Sequence, residues 1–146
     1  MFGFMKKLKG TAQELGKKSI KSENKDLMEA MVGVAALIAY ADGELEDEEI
    51  ITTEALLKNS KALEAFGNEP SAEFDRLCKI LEAGYRMGRL TIMKEVKDVA
   101  SNKDEAEMVL VMAIEIAFAD GEMGPEEEKE LNAIAKALNL KLDDYI

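Results

Sequence analysis

Carboxylates in a repeated stretch are the residues of this sequence best suited to chemistry. Residues 38–49 read IAYADGELEDEE and residues 116–127 read IAFADGEMGPEE, identical at eight of twelve positions at a constant offset of 78 residues. A cluster of carboxylate oxygens suits a hard divalent cation such as Ca²⁺ or Mg²⁺. The candidate metal ligands are the acidic residues Asp42, Glu44, Glu46, Glu49, Asp120, Glu122, Glu126 and Glu127.

The repeated stretch also predicts a local backbone geometry. Gly43 and Gly121 are expected to end their helices in the left-handed conformation that glycine adopts without strain. Pro125 suits the first position of the following helix, where its missing N–H costs nothing. In that register Gly124 is the N-cap of one helix and Glu46 is the N-cap of its counterpart.

Helix capping is therefore an alternative explanation for part of the acidity. It accounts for four carboxylates, which can accept backbone amide hydrogen bonds: Asp42, Glu49, Asp120 and Glu127. It accounts less well for the other acids in the same turns, since like charges repel by about 1 kcal/mol per contact at ~4 Å in water. Three interpretations stay open: capping alone, capping with weak divalent-cation binding, and an acidic surface that binds a basic partner.

An EF-hand does not fit either copy of the repeat. Aligning Gly43 with the invariant glycine of that loop places Asp42 and Glu49 at ligand positions five and twelve. The first and third positions then fall on Ile38 and Tyr40, which have no ligating side chain, and the second copy fails in the same way.

The composition excludes most catalytic chemistry. The 146 residues include no His and a single Cys, which removes catalytic triads, imidazole zinc sites and an intrachain disulfide. Cys78 lies on an apolar stripe and is predicted to be a small buried hydrophobic residue. We expect no catalytic residue and no cofactor beyond a divalent cation. A hydrolytic enzyme with paired carboxylates is the alternative class, and it requires the acidic turns to converge on a concave pocket with a raised pKa.

Charge divides the chain into a basic arm and an acidic body. Residues 1–25 hold seven Lys and two Glu, a net charge of +5, whereas the remaining residues hold 12 basic and 28 acidic side chains, a net charge of −16. We expect the arm to span residues 1–22 and a helical domain to span 23–146, with repeat halves at about 26–66 and 104–144. The acidity of the body argues against nucleic-acid binding.

The arm has two interpretations. Its apolar and basic residues suit either reversible contact with an anionic membrane surface or packing on the acidic body. The candidate membrane or partner residues are Phe2, Phe4, Lys6, Lys7, Lys9, Lys17 and Lys18. No apolar run of about 7–15 residues follows the basic start, as a secretory signal requires. The longest apolar stretch, residues 30–41, is too short to span a membrane, so we expect a soluble, cytoplasmic protein.

The apolar periodicity predicts an all-α fold, a single compact domain of about seven helices with two pseudo-equivalent halves. Helices are expected at about 2–20, 25–41, 47–58, 71–86, 91–101, 104–119 and 125–138. Ser71 is a candidate N-cap, Thr91 begins a helix after a break at Gly88, and Asn139 ends the last long helix. The segments 27–41 and 106–119 are apolar on nearly all sides and should lie centrally.

The two Ala-Asp-Gly-Glu-(Leu/Met)-x-x-Glu-Glu stretches resemble the TerB family of tellurite resistance proteins. The basic start FMKKLKG at residues 4–10 and the segment Leu57–Phe66 are similar to the N-terminus and middle connector of that family. The similarity covers nearly the whole chain. A single copy of the turn also occurs in TerB-like domains attached to membrane J-domain co-chaperones.

The resemblance implies a cytoplasmic, non-enzymatic stress-response protein linked to resistance to tellurite, phage and pore-forming colicins. It implies an adaptor in a membrane-associated complex with the integral membrane protein TerC and other Ter proteins. It also implies divalent-cation binding by the residues Asp42, Glu44, Glu49, Asp120, Glu122 and Glu127. The second copy has Gly124 and Pro125 where the first has Glu46 and Asp47, so we expect the two turns to differ in affinity. A co-chaperone-like interaction module, or a peripheral membrane-surface binder without metal, is the alternative function.

Overall fold

The computed structural model describes residues 20–21 and 23–146, which form an all-α domain. Its six α-helices are α1 (Lys25–Ala39), α2 (Asp47–Asn59), α3 (Glu69–Ala83), α4 (Tyr85–Val99), α5 (Lys103–Ala117) and α6 (Pro125–Ala137). Short 3-10 helices cover Lys61–Phe66 and Leu142–Asp144. The helix predicted at 2–20 and the candidate residues of the arm lie outside the described residues, apart from Ile20.

Helices α1 and α5 pack against each other at the centre of the domain. Twelve of the 15 residues of α1 and ten of the 15 residues of α5 are buried, so both helices lie centrally, as their apolar sequences predicted. The remaining helices each bury one apolar stripe against this pair or its neighbours, including Phe74 and Leu77 on α3 and Leu131 and Ile134 on α6. A single core therefore joins both halves of the chain.

The internal duplication is confirmed by the helix boundaries. Adding the 78-residue offset to the bounds of α1 and α2 gives the bounds of α5 and α6. The N-caps agree as well, since the Asn24 side chain accepts from the Leu27 amide and the Asn102 side chain accepts from the Glu105 amide. Each half is thus a buried helix, an Asp-Gly turn and a second helix with an acidic start.

Two predicted helix starts are wrong. Helix α3 begins at Glu69 after Asn68, two residues before Ser71, because Pro70 is tolerated in a first turn where its missing N–H would be unbonded anyway. Helix α4 begins at Tyr85, so Thr91 lies inside it.

Gly88 lies inside α4, where it packs closely against α3, and it does not break the helix as predicted. A Cβ at this position would lie 3.1 Å from side-chain atoms of both Ile80 and Leu81, so the missing side chain lets α4 approach α3. Only Gly84 separates these two helices.

Two other predictions are confirmed. Asn139 has a φ of 59° and ends α6 through its left-handed conformation. Cys78 is buried, and burial raises the pKa of its thiol to about 12, as expected for an unreactive core residue. In the described part of the chain, no helix is long and apolar enough to cross a membrane.

Candidate functional site

The two Asp-Gly turns have nearly the same hydrogen-bonded geometry. Gly43 and Gly121 have φ angles of +88° and +93°, as predicted for glycines that end a helix. The Asp42 carboxylate accepts from the Glu44 amide at 3.0 Å, and Asp120 accepts from the Glu122 amide at 3.2 Å. Each aspartate therefore stabilises its own turn with one oxygen atom.

The helix that follows each turn begins differently in the two copies. The Gly124 amide donates to Glu127 Oε1 at 2.9 Å, so the predicted cap is present at the start of α6. At the start of α2, Glu46 is the N-cap but no side chain makes a capping hydrogen bond. Capping therefore explains Glu127 and does not explain Glu49, for which that prediction is wrong.

The turns converge on one groove. The groove has a volume of about 480 Å³, and its apolar residues come from the ends of both central helices, namely Ile38, Ala39, Ile116 and Ala119. Seven carboxylates from both copies line it: Asp42, Glu46, Glu48, Glu49, Asp120, Glu126 and Glu127. We call this surface the acidic groove.

Six of the eight predicted site residues line the acidic groove. Glu44 and Glu122 do not line it, because they follow the glycine of each turn and contribute their backbone amides to the aspartates. Glu48 lines the groove and was not among the predicted ligands. Its position in the first turn of α2 was visible in the sequence, but the direction of its side chain depends on how α2 packs.

The carboxylates of the groove perturb one another across the two copies. Burial raises the pKa of Glu49 to about 7, assisted by the charges of Asp42, Glu46, Glu127 and Asp120. Two of these neighbours belong to the opposite turn, so the convergence has an electrostatic consequence. At neutral pH a substantial fraction of Glu49 is protonated in the absence of a counter-ion.

Glu127 experiences a similar environment. Burial raises its pKa, the hydrogen bond from the Gly124 amide opposes that shift, and Asp120, Asp42 and Glu126 reinforce it. No Lys or Arg is present among the described residues that line the groove. A bound cation would relieve this repulsion and lower both pKa values.

The groove has the donor atoms that a hard cation prefers, but its carboxylates are not spaced as a preformed metal site. All candidate donors are oxygen atoms, the ligands preferred by Ca²⁺ and Mg²⁺. Within residues 20–21 and 23–146, however, no three acidic, Cys or His side chains are arranged as a metal-binding group. Ligation therefore requires the carboxylates to draw together or water to complete the coordination.

A partly buried ion pair that was not predicted ties the middle of α6 to α4. Arg89 of α4 binds Glu130 of α6 through two nitrogens, with the shortest N–O distance 2.6 Å. Tyr85 Oη donates to the same carboxylate at 3.4 Å, and the Tyr85 ring stacks on Tyr40 with a centroid distance of 5.3 Å. The sequence carried one signal for this pair, since Glu130 lies on the apolar face of α6 next to Leu131.

The fold and groove define an all-α protein in which a duplicated helix–turn–helix unit brings acidic turns together. A family model described as tellurite resistance protein TerB matches residues 28–146, and the chain belongs to this family. The resemblance drawn from the repeated turns is thereby confirmed. No curated protein and no solved structure gives a significant match.

Proposed function

We propose that this TerB-family chain acts by binding, as a non-enzymatic adaptor in a tellurite-resistance and stress response, and that its acidic groove takes a divalent cation. The observation that carries the proposal is the convergence of both Asp-Gly turns on one groove, where burial, and then the carboxylates of both turns, raise the pKa of Glu49. Capping requires acids at each helix start, but it does not require the two sets to face each other.

The ligands would come from both copies of the repeat. Glu49 is the strongest candidate because it has no capping role and because burial and the neighbouring carboxylates raise its pKa to about 7. Asp42 and Asp120 each use one oxygen in their turn, which leaves the other available. Calcium takes six to eight oxygen ligands, so waters would complete the coordination of a few carboxylates.

Catalysis is less well supported than binding. The convergence and the raised pKa meet the conditions that a paired-carboxylate hydrolase would need. Hydrolysis of an ester or amide builds negative charge in its transition state, which seven carboxylates would oppose. The described lining offers no basic side chain to counter that charge.

A calcium titration followed by amide NMR shifts tests the cation site. We expect millimolar Ca²⁺ to shift the amides of both turns, and the variant Asp42→Asn with Asp120→Asn to abolish those shifts. The matched control is Asp143→Asn with Asp144→Asn, which removes the same charge from exposed residues of the C-terminal 3-10 helix. Unchanged spectra of the unmutated protein at millimolar Ca²⁺ would rule out the cation site and leave a basic partner as the ligand of the groove.

Family membership supports the adaptor part of the proposal. We propose the partners to be an integral membrane protein of the TerC type and other Ter proteins, with the protein at the inner face of the membrane. Capture of these partners by the full chain and by a chain lacking residues 1–19 separates contacts made by the arm from contacts made by the helical domain, because the buried Ile20 and the N-cap Asn24 are retained. Equal capture by both chains would place the partner contact on the helical domain.

A further inference from the structure

Helix α4 exposes an apolar pair on its outer face. Met87 is 71% exposed and Leu90 is 50% exposed, whereas the opposite face of the helix, including Ile92 and Val96, lies in the core. The only other large apolar side chain exposed to this degree in the described residues is Ile51 of α2. Exposed side chains of this size cost free energy in water and are unusual in adjacent positions on one helix face.

Basic side chains continue the same face. Lys94 and Lys97 follow Met87 and Leu90 at spacings of three and four residues, so the four side chains form one stripe along α4. Arg86 flanks the stripe. No carboxylate of the described residues lies within ion-pair distance of these three cations.

This stripe differs from the rest of the domain in charge. Helix α4 carries four of the 12 basic side chains that follow residue 25, in a body with a net charge of −16. One acid, Asp98, lies at its edge. A face that combines apolar anchors with neighbouring lysines is typical of helices that lie on anionic lipid surfaces, where lysine stems lie along apolar surface and the ammonium groups reach the headgroups.

We propose that the outer face of α4, formed by Arg86, Met87, Leu90, Lys94 and Lys97, is a contact surface for an anionic phospholipid membrane. Met87 and Leu90 enter the interface between headgroups and acyl chains, and the three cations bind lipid phosphates. The face has only two large exposed apolar side chains, which suits a lipid surface better than a stable protein interface, since such an interface buries about 800 Å² on each partner. This inference does not depend on cation binding by the acidic groove.

Vesicle binding by the full chain tests this surface. We expect the protein to bind vesicles of phosphatidylcholine with phosphatidylglycerol, and to bind phosphatidylcholine alone weakly. EDTA keeps divalent cations from bridging the groove to the lipid. The variant Met87→Ser with Leu90→Ser is expected to lower the partition coefficient roughly tenfold, because it removes both apolar anchors.

Matched controls separate this face from general hydrophobicity and charge. Ile51→Ser removes an equally exposed apolar side chain that lies on the acidic helix α2, and it should leave vesicle binding unchanged. Lys94→Glu with Lys97→Glu should weaken binding, whereas Lys129→Glu with Lys136→Glu, an equal charge change on the exposed surface of α6, should weaken it much less. Circular dichroism verifies that each variant is folded.

Three results would overturn the proposal. Equal partition of the wild type and the Met87→Ser, Leu90→Ser variant would assign membrane binding to the basic arm. Absence of binding by the wild type would remove the membrane as a ligand. Binding of an acidic helical peptide by a protein that ignores vesicles would assign the face to a protein partner instead.

Discussion

At the scale of single residues, Glu49 differs from three other carboxylates at the two turns because it accepts no backbone hydrogen bond. Asp42, Asp120 and Glu127 each accept a backbone amide hydrogen bond, so each has a structural role. Glu49 occupies the position equivalent to Glu127 and makes no such bond. It instead has a pKa raised to about 7 by burial and by its acidic neighbours. The protein therefore keeps a carboxylate in a position where its charge is destabilising unless a counter-ion binds.

Replacing Glu49 by Gln should change how stability depends on pH. Because the folded protein holds this proton more tightly than the unfolded chain, the wild type loses stability as pH rises from about 4.5 to about 7. Glu49→Gln removes that loss and should stabilise the protein at pH ~8 by about 1 kcal/mol, a value reduced because solvent screens a half-exposed carboxyl.

Urea denaturation at several pH values, without divalent cations, measures this effect. Part of the slope should persist, because burial also raises the pKa values of Glu29 and Glu95. Glu44→Gln is the control for loss of one charge from the same turn. Parallel pH profiles of the wild type and Glu49→Gln would show that ionisation of Glu49 does not destabilise the folded protein.

At the scale of helices, the two halves share their boundaries but differ in how firmly their second helix is held. Helix α6 buries Leu131, Ile134 and Ala135 and is tied to α4 by the Arg89–Glu130 pair. Helix α2 buries only Thr53 and Leu57. The acidic groove therefore has one firmly packed wall and one wall with few buried contacts.

Breaking the Arg89–Glu130 pair should destabilise the domain. Arg89→Met leaves the buried Glu130 carboxylate without its cation and should cost about 2–3 kcal/mol of unfolding free energy in a urea titration. Adding Glu130→Leu should recover most of that loss, since both charges are then removed. Lys79→Met, in the exposed pair with Asp75, is the control and should change stability by less than about 0.5 kcal/mol. A loss for the double variant as large as for Arg89→Met would contradict this account.

The sequence predicted local geometry better than packing. The Asp-Gly turns, Pro125 and Asn139 were predictable because a positive φ or a missing N–H restricts which residues fit. The position of Gly88 inside α4 was not, because its close contact with α3 involves residues brought together only by folding. The Arg89–Glu130 pair was missed for the same reason.

At the scale of the whole molecule, duplication explains how carboxylates 78 positions apart in the sequence line one groove. Helices α1 and α5 are adjacent at the centre, so the turns that follow them emerge side by side. The repeat predicted equivalent halves, but it did not predict that their turns face each other. The TerB-family fold thus gathers like charges at one end of its central pair and exposes a basic and apolar stripe on α4.

The most direct test of this account asks whether the two turns form one site. In a calcium titration of the single variant Asp120→Asn, NMR follows the amides of Gly43 and Glu44, which belong to the unmodified turn. If the turns share a cation, the shifts of both turns in the wild type follow one binding curve, and Asp120→Asn weakens the response of the Gly43 turn as well as its own. Two independent curves in the wild type, or an unchanged response of the Gly43 turn in Asp120→Asn, would contradict a shared site.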